Sequence, residues 1–188
     1  IEYGGSAKDM QDSFRDLILL LVLSIVLVYI VMASQFESFR EPFIIMFSLP
    51  FAFTGVFLAL WISGTTLNVI SFIGAIMLVG IVVKNGIILV DYTNLLRDRG
   101  VSLKSAVVQG GRLRLRPVLM TSLTMILAMI PLVLSKGEGS EIWRPMGISL
   151  MGGLTFSTLI TLIVIPVIYT IFGAARMKRE RKNNPSND

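Results

Sequence analysis

Few residues in this chain are equipped for chemistry, and the ones that are stand in unusual surroundings. Lys84 and Asn85 sit side by side in the stretch VGIVVKNGIILVDYTNLL, an apolar run long enough to cross a bilayer. A lysine near the middle of a span costs roughly 2.5–3.5 kcal/mol on insertion scales, so such residues face a bundle interior or a water-filled cavity and meet a partner there. Asp91 shares the helical face seven residues on, but at about two turns it is too distant for direct contact. The absent counter-charge predicts a functional unit larger than this chain.

Three readings of Lys84 compete. It can snorkel along its four-carbon stem to the interface, hold a static buried ion pair, or change partners as protons bind. In the last case a partner carboxylate that gains a proton releases the lysine and alters the packing around it. Composition does not separate the second reading from the third. Thr121, Ser122 and Thr124 read first as packing residues, because hydroxyls in membrane helices commonly bond back to their own helix carbonyls. Arg112, Arg114 and Arg116 read first as topology signals and helix-start anchors.

Other chemistries are excluded by what the chain lacks. It contains no Cys and no His, which removes thiol catalysis, Cys/His metal centres and the HExxH motif together. No GxxxxGK[ST] loop is present to cradle phosphate. An intramembrane aspartyl pair needs two buried aspartates, and the spans offer at most Asp91. Neither enzymatic activity nor a cofactor is expected.

The elements that position these residues follow from hydropathy. The chain is 54% hydrophobic and 15% charged, with a mean hydropathy of +0.77, which describes a membrane protein rather than a soluble domain. The predicted fold is an all-α membrane bundle of five spans, at about residues 17–33, 43–61, 69–90, 118–134 and 146–172. Residues 1–16 read as the end of an upstream extramembrane domain with a helix start at Asp12 or Ser13, and residues 174–188 as a disordered basic tail. Pro50 predicts a kink in the second span. The glycines at 74, 80 and 86 spread around the third span instead of forming one GxxxG seam. Between the third and fourth spans, SLKSAVVQ predicts a short interfacial helix that GG then ends.

Charge sets the orientation. With a cytoplasmic C-terminal end, Arg40, Arg97, Arg99, Lys104, the arginines of RLRLRP and the basic tail all fall inside, leaving Lys8, Arg15, Lys136 and Arg144 outside. That bias obeys the positive-inside rule. The net charge of +5 therefore reads as topology and not as a nucleic-acid face.

Several motifs in order now carry a resemblance. VGIVVKNGIILVDYTNLLRDRG, RLRLRPVLMTSL, AMIPLVLSKGEGSE and MGGLTFSTLITLIVIPVIY together resemble the C-terminal membrane portion of the resistance-nodulation-division exporters, nearest the acriflavine-resistance-type multidrug pumps for hydrophobic and amphiphilic compounds. The resemblance implies the eighth to twelfth spans, with residues 1–16 ending a periplasmic porter domain. It implies a bacterial inner-membrane drug/proton antiporter, with its N-terminal end in the periplasm. By motif it assigns a proton relay to Lys84 in VKNG, Thr121 in LMTS and Arg114 in RLRP. Their partners are paired aspartates on a span of the N-terminal half, which this chain does not include. A homotrimer joined to a periplasmic adaptor and an outer-membrane channel is likewise implied. A non-transporting anchor or assembly module, or a metal-ion exporter, are the alternatives.

Overall fold

The computed structural model describes the backbone of residues 3–137 and 139–183 and the side chains of residues 8–137 and 139–173. Those residues form six helices, α1 (Tyr3–Phe36), α2 (Arg40–Met46), α3 (Ser48–Ile62), α4 (Val69–Asp98), α5 (Leu103–Leu134) and α6 (Ser140–Asn183). Counting α2 and α3 as one, five of these are long and apolar enough to span a membrane. A chain in lipid must satisfy its backbone polar groups internally, and helices do so within one segment.

α6 is the hub, packing on α3, α4 and α5. Its crossing with α3 brings the backbones together. A Cβ on Gly152 would stand 2.1 Å from Ala59 Cβ and 2.9 Å from Gly55 O, and one on Gly153 would stand 2.8 Å from Val56 Cγ2. Close approach through small residues supplies the van der Waals contact that holds membrane helices together without a hydrophobic driving force. α1 and α5 are the least covered: 11% of the most apolar stretch of each is buried, and on α1 Ile18, Leu19, Leu23, Leu27 and Val31 face outward.

Two short turns fix the neighbouring helices. α3 closes on Gly64, with φ at 63°, whose N–H donates to Trp61 O while Thr65 N–H donates to Leu60 O. Asn68 then opens α4 by a reciprocal cap, its side chain accepting from Ser71 N at 2.8 Å while Ser71 Oγ accepts from Asn68 N at 2.9 Å. The α4–α5 turn repeats the device: Gly100 N–H donates to Arg97 O and Val101 N–H to Leu96 O. Glycine accepts the left-handed conformation that this helix ending requires.

The structure differs from the sequence reading at element ends. α1 is helical from Tyr3, well before Asp12, because the polar lead-in continues the helix; Ile1 and Glu2 lie outside the described residues. α4 runs to Asp98, so the segment expected to loop after Val90 is helix. The Gly110–Gly111 pair does not break α5, which is continuous through Pro117. Gly110 instead lies against α4, where a Cβ would meet Thr93 Oγ1 at 2.7 Å, so that glycine serves a helix contact. α6 stays helical through Asn183 where a disordered tail was expected; residues 184–188 lie outside the described residues. The kink expected at Pro50 appears as a break at Phe47, which places Pro50 in the first turn of α3, where a missing N–H is harmless. Ser48 Oγ donates to Ile45 O at 2.7 Å beside that break.

Candidate functional site

α4 presents two faces. Along one, Ile73, Met77, Gly80, Lys84, Asp91 and Leu95 are exposed at helical spacing. Lys84 stands fifteen residues from Val69 and fourteen from Asp98, so about 20 Å of helix lies on either side of it. A lysine stem does not reach either end of that helix. It lines a groove of about 280 Å³ between α1 and α4, with Leu27, Val28, Val31, Gly80 and Ile87. The three glycines divide as their spacing requires. Gly74 packs on Met146 and Gly86 on Ile45 and Ile165, while a Cβ on Gly80 would meet nothing within 4 Å.

Asn85 turns to the other face and is 6% exposed. Its Nδ2 donates to Ser122 Oγ at 3.2 Å, and Thr158 Oγ1 donates to the same oxygen at 3.0 Å. One serine hydroxyl thus joins α4, α5 and α6. One turn along α6, Thr161 Oγ1 is buried without a hydrogen-bond partner among the described residues.

This joint places the sequence-selected residues. Contacts between α4 and α5 pair Thr93 with Gly110, Tyr92 with Arg114 and Asn85 with Ser122, so numbers fall on one helix as they rise on the other. The helices are antiparallel. Stepping back one residue rotates a side chain by about 100°, and in an antiparallel pair that step carries both side chains to the same side. Lys84 and Thr121 therefore project to one side of the α4–α5 pair, and both are exposed. Thr121 Oγ1 donates to Val118 O at 3.0 Å, as Thr124 Oγ1 does to Met120 O at 2.8 Å. Arg114 lies nearer the α4–α5 turn, its guanidinium 4.5 Å from the centroid of the Tyr92 ring. Its Nε is buried without a hydrogen-bond partner among the described residues.

Sequence reasoning treated Ser122 like its neighbours and passed over Thr158. The available signal was register: Ser157, Thr158 and Thr161 in the string STLIT share the buried face of α6, and polar groups on a buried face need partners. Ser122→Ala is expected to remove both interhelical bonds and lower stability by about 0.5–1.5 kcal/mol. Denaturant titration of the complete polypeptide checks this, and an unchanged midpoint would show the joint to be energetically idle.

The same arrangement of helices occurs in solved structures. The chain aligns with a heavy metal efflux pump in two crystal forms, with TM-scores of 0.80 and 0.77 and 35% and 37% identity, covering 89% and 86% of this chain and 16% of each pump. Its spans are thus those of a resistance-nodulation-division transporter. Residues 1–173 match the AcrB/AcrD/AcrF family, and the chain belongs to that family. It is also 40% identical over 180 residues to the swarming motility protein SwrC of Bacillus subtilis (strain 168), a match covering 95% of this chain and 17% of SwrC. The chain therefore spans about a sixth of the length of the relatives it matches. It is a multi-pass membrane segment of a transporter family.

Proposed function

We propose that this chain is part of the proton-translocating membrane domain of a proton-motive-force-driven antiporter that exports hydrophobic or amphiphilic compounds. The observation that carries this reading is Lys84, inside a helix long and apolar enough to span a membrane, on an exposed face beside α1 and on the same side as Thr121. In the complete polypeptide, paired aspartates on a span of the N-terminal half face Lys84; protonation of an aspartate releases the ammonium, and α4 shifts against its neighbours. Thr121, whose hydroxyl donates to Val118 O, offers its oxygen as an acceptor beside that path, and Arg114 a fixed positive charge near its cytoplasmic end. Each elementary charge crossing is worth about 2.3 kcal/mol per 100 mV, which the spans convert into motion of the extramembrane domains.

On this reading the α3–α4 turn and residues 1–16 face the periplasm, and the α4–α5 turn and the C-terminal end face the cytoplasm of a bacterial inner membrane. The assembly is a trimer that works with a periplasmic adaptor and an outer-membrane channel. The test is the complete polypeptide in proteoliposomes carrying an inward proton gradient and a pH-sensitive dye. Adding an amphiphilic substrate should accelerate gradient collapse; export with no accompanying proton flux would sink the proposal. The heavy-metal pump among the similar structures favours one second reading, metal-ion export, in which divalent or monovalent metal ions replace the amphiphile as the species that drains the gradient.

A further inference from the structure

On the side of α6 away from α4, an apolar groove of about 450 Å³ runs between α3, the end of α5 and α6. Its walls include Leu58, Ile62, Val133, Ile148, Phe156 and Leu159. Its floor is the Gly55–Gly152 crossing, where backbone meets backbone and no side chain can enter. Thr155, on the rim, donates its hydroxyl to Met151 O at 2.7 Å, so it offers no free donor to a neighbouring helix.

The dimensions of the groove match one leaflet. From Ile148 to Leu159 α6 rises eleven residues, about 16 Å, against about 15 Å for half of a 30 Å hydrocarbon core. At the mouth the character changes. A second, polar pocket of about 350 Å³ shares Ser63 with the groove and continues through Thr65, Thr66, Glu141 and Arg144. It sits where α3 ends and α6 begins, at the helix ends where headgroups lie. Ser63 Oγ is engaged with Leu60 O and Thr65 Oγ1, each at 3.0 Å, which leaves the Thr66 hydroxyl, one carboxylate and one guanidinium to face a ligand.

We propose that groove and pocket together bind one zwitterionic phospholipid with a primary ammonium headgroup, its acyl chain in the groove. A guanidinium matches the phosphate in a charge-assisted pair, and the carboxylate matches the ammonium three residues away on the same helix. A purely anionic headgroup would meet the Glu141 carboxylate as a like charge. A second protein helix filling the groove would bury the opposed charges and hydroxyls at its mouth without partners. The lipid is a built-in structural ligand and is independent of what the protein transports.

The experiment uses the complete polypeptide, extracted into native nanodiscs, stripped stepwise with detergent and analysed by native mass spectrometry with phosphatidylethanolamine and phosphatidylglycerol as probes. The wild type is expected to retain one phosphatidylethanolamine per protomer after the annular lipid is gone, and Thr155→Trp, which fills the groove from its rim, to lose it. Arg144→Gln and Glu141→Gln, at exposed positions outside the apolar packing, are each expected to reduce the preference over phosphatidylglycerol by about two- to five-fold, as exposed ion pairs of up to about 1 kcal/mol dictate. They keep the test decisive if the tryptophan variant fails to insert. Equal retention of both lipids by the wild type, unchanged retention in Thr155→Trp, or cross-linking of Thr155→Cys to another segment of the polypeptide would each overturn the proposal, the last by identifying a protein occupant.

Discussion

Lys84→Met in the complete polypeptide is expected to abolish proton-coupled transport while membrane insertion and oligomeric state persist. Methionine keeps the length and flexibility of the lysine stem and removes only the charge. The position is exposed in this chain, on a face away from the Asn85–Ser122–Thr158 joint, so the substitution leaves that joint intact and puts an apolar side chain of similar length into the apolar groove against α1. What it removes is the partner of the proposed aspartates. Breaking a buried charge pair costs about 3–5 kcal/mol, which corresponds to a loss of about 100-fold or more in the coupled step. Lys84→Arg should not restore activity, since a planar guanidinium cannot take the place of a compact ammonium whose pairing must reverse. Proton flux and efflux measured on the same vesicles decide the matter. If the methionine variant transports normally, α4 is an anchor and the relay assignment fails.

Gly152→Ala should cost more stability than any other single methyl added to the bundle, about 3 kcal/mol. The new Cβ would meet Ala59 Cβ at 2.1 Å and Gly55 O at 2.9 Å. Neither atom lies at the end of a flexible side chain, so relief requires α3 and α6 to separate. Because α6 packs on α3, α4 and α5, that separation loosens the whole set of helices. Ala59→Gly in the same chain removes the nearer obstacle and is expected to restore part of the loss, which a double-mutant cycle measures directly. Gly80→Ala is the control: a Cβ there meets nothing within 4 Å. Equal stability of the Gly152 and Gly80 variants would show that the α3–α6 crossing yields to an added methyl.

Five membrane helices, an ammonium in apolar surroundings and the absence of Cys and His were all legible, because each depends on composition or on a local run of residues. The family resemblance was legible for the same reason, since its motifs are short and contiguous. Helix ends were less so: Asp91 to Asp98 extend α4, and Gly110–Gly111 continues α5, because tertiary contact with Thr93 overrides the local preference of glycine for a break.

Residue types and linear spacing by themselves determined that this is a membrane bundle organised around a lysine with no visible partner, because the cost of charge in lipid depends only on what surrounds it along the chain. Only the tertiary structure decided which hydroxyl matters to packing, that Lys84 and Thr121 share a side, and that Gly152 rather than Gly80 bears a helix crossing. Those facts depend on the antiparallel register of α4 and α5 and on the angle at which α6 crosses α3. Both are set by contacts between residues far apart in sequence, and no local pattern encodes them.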